Sequence, residues 1–388
     1  MTASTEAPAL ASPAGRPCDA DWRAGAARAQ EAGMPRGRTV VSCAAPRGVG
    51  GLGRHLHEIM ATLTRLGQTA VCICTSDADA SPPAARSSRQ LVGVHALSTA
   101  LRALPMPVSP AVRARLFATE FDADAVRRLP PAEHLIAFNS QALWQMRAAR
   151  RARYRSLALV SANPHIHTLV RQHTRAHRLY PLEGSWAAAL VTRNLAEYDR
   201  AERIYVSSSY IRASFLEHGF AEERLCDFPL TPDPRYQPAE RAPAADSFEI
   251  VYVGSLTVHK GVPLLVDAVR RLPHRDLRLT LVGGWATRGM RRFIQSACAG
   301  DRRITACPGD PLPHLRTASL CVHPAFEDGF AYAPAEALAC GVPVIVSEDT
   351  GMKELIDSPS RGLVLPTGDL LALTDAIDAA YKGETLAG

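Results

Sequence analysis

Short apolar runs alternate with amphipathic helical segments along this chain, and the alternation is broken once and then resumes. That pattern restricts the fold more than any other feature of the sequence. Strand-like runs with no polar face belong in sheets buried on both sides, and helices between them make the crossovers that parallel strands require. The break falls at residues 231–247, TPDPRYQPAERAPAADS, which hold four prolines and few apolar side chains. Such a composition marks a linker between domains. The expected architecture is therefore α/β, with two Rossmann-like, doubly wound parallel-sheet domains at residues 38–230 and 248–388. Ligands in such folds meet the carboxyl ends of the strands, so the two domains are expected to face a central cleft. Residues 1–37, rich in Ala, Pro and Gly and without periodicity, read as a disordered tail.

In the first series, strands are expected over 38–45, 69–75, 91–95, 135–138, 157–161 and 203–206. Helices are expected over 52–66, 111–128 and 141–155, with a further one capped by Ser207–Ser209 and stopped at Gly219. In the second series, strands are expected over 249–253, 277–282, 304–306, 320–323 and 342–346. Helices there are expected over 262–272, 288–299, 313–317 and 370–381, with another opening near Pro334.

The 388 residues suffice for two domains with sizeable cores. At 47% hydrophobic and 21% charged the chain reads as a soluble globular protein, and it has no run of 18 uncharged apolar residues and no secretory leader pattern. A cytoplasmic location is the expectation. Nine dispersed cysteines do not make a disulfide framework, and Cys72 and Cys74 lack the second ligand pair of a zinc site. Of 44 basic residues only Lys260, Lys353 and Lys382 are lysine, and the net charge of +6 reflects an arginine-rich composition rather than a nucleic-acid partner.

Chemistry concentrates in His323–Ile356, HPAFEDGFAYAPAEALACGVPVIVSEDTGMKELI. Two acids, Glu327 and Asp328, open a loop that runs into a helix with Pro334 in its first turn and Gly341 at its end. Glu336 follows inside that first turn. A helix N-terminus attracts phosphate through its unpaired N–H groups and its dipole, and carboxylates beside it accept hydrogen bonds from sugar hydroxyls. The combination suits a nucleotide-sugar. An acid in a first helical turn also stabilises a helix by roughly 0.3–1 kcal/mol without any ligand.

Other features carry less. The loop PRGVGGLG, with Gly51 in it, joins a strand to an amphipathic helix and permits either ligand approach or only the turn itself. His165 and His167 follow a strand, where an acceptor contact is expected at His165; at i, i+2 without acidic neighbours they make a poor metal site. The helix over 141–155 carries Arg147, Arg150, Arg151, Arg153 and Arg155 without an acid, a solvated face or a surface for peripheral contact with anionic lipid.

VGSLTVHKG, LVGG, HPAFEDGFAYAPAEALACGVPVIVS and TGMKELI together resemble the donor domain of retaining GT-B glycosyltransferases of the group 1, family 4-like class. GVGGLGRHLHEI resembles the first loop of that family's acceptor domain. The resemblance implies transfer of a sugar from a nucleotide-diphosphate-sugar to an acceptor hydroxyl with retention, an EC 2.4 activity needing no metal and no further cofactor. It implies that Glu336 holds the ribose and that Asp328, eight positions earlier, or Glu327 contacts the donor sugar. Lys260 matches one member of the family's diphosphate-binding basic pair, and Ser255 stands at the other. Gly283, the backbone of Gly329, Phe330, Ala331 and Tyr332, and Gly51 from the other domain complete the implied donor set. Retention in this family is thought to need no protein nucleophile, so stabilising the leaving diphosphate is the main demand.

The sequence departs from the family in three ways: Ser255 for arginine, Ala331 for glycine, and an end at Gly388 soon after the last helix. These departures keep two other readings open, a non-catalytic nucleotide-sugar binding module and a GT-B nucleotide-sugar epimerase.

Overall fold

The structure is a computed structural model that describes residues 20–76, 88–90, 108–238 and 247–384. It divides into two compact units, Arg23–Arg171 with Gly184–Leu230, and Gln172–Glu183 with Thr231–Gly388. The strand expected over 91–95 lies outside the described residues, as do residues 239–246 of the linker.

The first unit holds a seven-stranded sheet: β1 (Thr39–Ser42), β2 (Ala70–Cys74), β3 (Ser88–Gln90), β4 (His134–Phe138), β5 (Ser156–Ser161), β6 (Arg203–Val206) and β7 (Leu225–Asp227). Their order is β3-β2-β1-β4-β5-β6-β7, and every pairing is parallel. Val40, Val41, Leu135, Ile136, Leu159 and Ile204 are fully buried, which explains why these runs show no alternation. The helix Gly50–Arg65 buries Leu56, Ile59, Met60 and Leu63 on one face.

Ala20–Ala32 is a helix, not part of a disordered tail. Gln30 is buried in it, donating to Pro229 O at 2.7 Å and to Glu58 Oε2 at 3.1 Å, while Tyr205 OH donates to Gly33 O at 2.7 Å. The alanine-rich segment has high helix propensity, and a few long-range hydrogen bonds dock it. Its low apolar content hid that in the sequence.

The second unit holds β8 (Phe248–Val253), β9 (Leu277–Val282), β10 (Ile304–Cys307), β11 (Leu320–His323), β12 (Val344–Ser347) and β13 (Gly362–Leu365) in the order β10-β9-β8-β11-β12-β13, again all parallel. Its core gathers Ile250, Leu265, Val269, Leu279, Leu281, Val322, Phe326, Ile345 and Ile377. Burying each such side chain stabilises by about 1.5–3 kcal/mol before chain entropy is counted. The strand order runs outward in one direction from β8 and in the other from β11. Loops leaving the carboxyl ends of these two neighbours therefore diverge and leave a crevice between them.

Candidate active site

Both loops at that crevice carry charge. The loop after β8 is short and shaped by Gly261, whose φ of 72° is left-handed. A Cβ at Gly261 would meet Pro324 O at 1.9 Å, so the β8 loop is packed directly on the start of the β11 loop. Lys260, one residue earlier, is thereby aimed at that loop. Its Nζ lies 3.0 Å from Asp328 Oδ2 and 3.7 Å from Glu327 Oε1, and it donates to Glu327 O at 2.9 Å. His323 Nε2 is 3.0 Å from the same Asp328 oxygen, and its ring stacks on Tyr252. His173 Nε2 lies 3.5 Å from Glu327 Oε1.

Burial opposes the charge on each of these groups, but the partners outweigh it. Lys260 is held above its ordinary pKa by Asp328 and Glu327. Asp328 is driven well below the usual carboxylate range by Lys260 and His323, and Glu327 is lowered by Lys260 and His173. The site thus presents one ammonium against two carboxylates. His259 is pushed well below the usual histidine range by burial and by His173.

The loop bearing the acids is pinned from outside. Asp328 N donates to Asp349 O at 3.0 Å, Gly351 N to Asp328 O at 2.9 Å, and Met352 N to Phe330 O at 2.7 Å. Ser347 Oγ donates to Ala325 O as well. The TGMKELI segment is therefore a backbone brace for the loop. Ala331 then takes a left-handed φ of 66° and caps the helix Tyr332–Ala339, so the conformation expected of glycine is kept by an alanine. Gly341 ends the segment with φ 82°.

The structure brings Lys260, Glu327 and Asp328 into direct contact and places Gly329, Phe330, Ala331 and Tyr332 immediately after them. Phe330 and Tyr332 are nearly buried and meet edge to face. Glu336 is 2% exposed, in the second turn of its helix rather than at its mouth. Ser255 is exposed, and its carbonyl accepts from Tyr252 OH at 2.9 Å. Gly283 is steric in role: a Cβ there would meet Gly254 O at 1.8 Å, so it lets the β8 and β9 loops touch.

Two expected residues belong to the other unit. Gly51 sits exposed in the first turn of the helix Gly50–Arg65, with open space where a Cβ would be. His165 is only 2% exposed and lies among Tyr198, Phe215, His218 and Phe220, the His218 ring 4.1 Å away. Burial lowers its pKa to about 3. It is an interior neutral histidine, not a group presented at the end of the sheet as expected.

Sequence reasoning missed His173 and His259. His173 lies in the helix Ile166–Leu179, whose buried positions Ile166, Leu169, Gln172, His173 and Ala176 keep helical spacing. The polar residues Thr168, Gln172 and His173 on that inner face concealed the periodicity.

Solved structures are similar in fold to this chain. Sucrose-phosphate synthase from Thermosynechococcus elongatus matches with a TM-score of 0.67 at 19% identity, over 90% of this chain and 92% of its own. An Anabaena protein, HepE, in complex with UDP-glucose matches with a TM-score of 0.61 at 18% identity, over 90% and 92%. The fold is GT-B. Within this GT-B chain, residues 247–382 match the family model described as glycosyl transferases group 1. The D-inositol 3-phosphate glycosyltransferase of Pseudarthrobacter chlorophenolicus is 27% identical over 53% of this chain and 48% of its own length. The O-antigen chain mannosyltransferase B of Escherichia coli is 25% identical over 45% and 50%. The chain spans about half the length of these curated relatives, or less. No helix among the described residues is long and apolar enough to cross a membrane.

Proposed function

We propose that this chain transfers a sugar from a nucleotide-diphosphate-sugar to an acceptor hydroxyl with retention of anomeric configuration. The observation that carries the reading is Lys260, fixed between Asp328 and Glu327 at the crevice between β8 and β11. The group 1 match covers the same unit. In this reading the diphosphate takes Lys260 as counter-cation and receives N–H groups at the start of the helix Tyr332–Ala339. Asp328, with Glu327 beside it, contacts the donor sugar, and Glu336 serves the ribose. The ammonium then stabilises charge that grows on the leaving diphosphate, which is where such stabilisation accelerates transfer most. The reaction needs no cofactor beyond the co-substrate, and the acceptor is a hydroxyl compound in the cytoplasm.

The test is a panel of nucleotide-sugars with and without saccharide and lipid-linked acceptors, followed by nucleotide release and by NMR of the product anomer. Acceptor-dependent release with retention is expected. Lys260→Ala is expected to lose about 2–4 kcal/mol of transition-state stabilisation, roughly 30- to 1,000-fold in kcat/KM. Unchanged turnover in that variant overturns the assignment. A second reading, a nucleotide-sugar binding module without turnover, is favoured by one observation: Lys260 is already neutralised by two carboxylates, and Ser255 supplies no second cation. Saturable donor binding with no release under any acceptor would establish it.

A further inference from the structure

Beside the Lys260 site, and sharing Glu327 with it, lies a cluster that adds two imidazoles, His173 and His259, to which the proposed transfer assigns no role. His173, His259 and Glu327 each offer one donor atom, and these atoms lie within 4.8 Å of one another. We propose that they form a binding site for a divalent transition metal of the zinc class.

The donor set is two imidazoles and one carboxylate, which suits borderline metals such as zinc far better than magnesium or calcium. The separation of His173 and Glu327 suits them too. Ligands about 2.0–2.1 Å from a tetrahedral ion stand about 3.3 Å apart, and His173 Nε2 to Glu327 Oε1 is 3.5 Å. That separation is long for a charge-assisted hydrogen bond, which is about 2.7–2.9 Å. The two imidazole rings stack nearly parallel, at 19° with centroids 4.4 Å apart. Glu327 is 1% exposed, and its Oε2 makes no hydrogen bond among the described residues. A buried carboxylate oxygen left without a donor is costly, and a cation is the ligand that satisfies it. Charge does not forbid it: Lys260 against Asp328 and Glu327 leaves one net negative charge.

The three ligands come from three separate segments, and each is fixed in place. Gln172 Nε2 donates to Asp349 Oδ2 at 2.8 Å, and Tyr180 OH to Asp267 Oδ2 at 3.0 Å, holding the segment that bears His173. Val258 N donates to Glu183 Oε1 at 2.7 Å, tying the loop of His259 to the same segment. Phe326 N donates to His259 O at 2.8 Å, joining that loop to Glu327. Pre-set ligands of this kind lower the ordering cost of binding a metal. Three protein ligands leave a fourth position for water or another small ligand.

The experiment uses the full chain, stripped with a chelator and dialysed. Cobalt(II) is added as a spectroscopic probe and zinc(II) is titrated by calorimetry. One equivalent of cobalt is expected to give the visible ligand-field bands of a four-coordinate N/O site, without the intense near-ultraviolet charge transfer of thiolate ligation. His259→Gln and Glu327→Gln are each expected to weaken zinc binding at least about tenfold. Weak octahedral cobalt spectra, a thiolate band, or zinc affinity unchanged in either folded variant overturns the proposal. Because the wild-type cobalt spectrum needs no variant, misfolding of a variant leaves the test intact. The readout is binding and not transfer, so its failure and a failure of the proposed activity are separate results.

Discussion

Replacing Lys260 by methionine keeps the aliphatic stem and removes the charge that two acids are built around. At 3.0 Å from Asp328 and 3.7 Å from Glu327, the gross attractions at an effective dielectric of 20 are about 5.5 and about 4.5 kcal/mol. Most of this is offset by the cost of desolvating the ammonium. The net cost of breaking a buried pair from one side is about 3–5 kcal/mol, because the remaining charge is left uncompensated. Here the lower end applies. The Asp328 side chain keeps 20% exposure and can rehydrate, whereas Glu327, at 2%, cannot. Lys260→Met is therefore expected to destabilise the second unit by about 3 kcal/mol. Glu327→Gln in the same chain should return about 1–2 kcal/mol, since the stranded buried charge is then gone. Hydrogen–deuterium exchange read on peptides of β8, β9 and β11 reports this unit alone, which global unfolding of a two-unit chain does not. A loss under about 1 kcal/mol, or purely additive effects of the two substitutions, would refute the reasoning.

Three further outcomes are expected. Gly261→Ala forces a Cβ to 1.9 Å from Pro324 O at a left-handed φ, so it should cost about 2–4 kcal/mol in exchange of β8 and β11 amides and displace Lys260, lowering nucleotide-sugar affinity in the same variant. Glu197→Ala removes the acceptor of Ser140 N, Ala142 N and Leu143 N, at 2.6, 2.8 and 3.1 Å, and should destabilise the first unit by about 3 kcal/mol in exchange of β4 and β5 amides. His55 lies against Phe138 and Phe228, and burial lowers its pKa from 6.5 to about 3. The folded state then resists a proton that the unfolded chain accepts. Its contribution is full above pH 6.5 and is lost as pH falls towards 3, by about 1.4 kcal/mol per pH unit. His55→Phe should remove that slope from urea midpoints measured between pH 6 and pH 4; an unchanged slope would exclude His55 as its source.

Much of the fold was legible because the strands are buried on both faces and the helices on one. The runs at 203–206, 277–282 and 320–323 became β6, β9 and β11 with the expected bounds, and the last helix spans Leu370–Tyr381 as expected. β7 and β13 were not read, being three and four residues long and without a distinct apolar run. The helix Ile166–Leu179 was hidden by Thr168, Gln172 and His173 on its inner face. In the site, Lys260 was named from its loop after a strand and from the resemblance, and Asp328 from the resemblance; the structure brings the two within 3.0 Å of each other. Periodicity does not reveal that a segment near residue 173 packs with residues 259 and 327, because that contact is set by tertiary packing alone. His165 misled for a related reason: a histidine after a strand reads as presented to a ligand unless the aromatic side chains that enclose it, Tyr198, Phe215 and Phe220, are known to converge.

The placement of β11 next to β8 also bears on how the site comes into being. Lys260 and Glu327 are 67 positions apart in the chain, yet their strands are immediate neighbours. Closing a loop of that length costs on the order of 4 kcal/mol of chain entropy, and β9 and β10 with their helices are made from the chain in between. The pairing of β8 with β11 is the long-range step, and in parallel sheets such steps are slow. The charged trio exists only once that pairing does. Acquisition of nucleotide-sugar binding during refolding should therefore lag the recovery of helical signal, which makes ligand binding a clock for the last stage of folding in this unit.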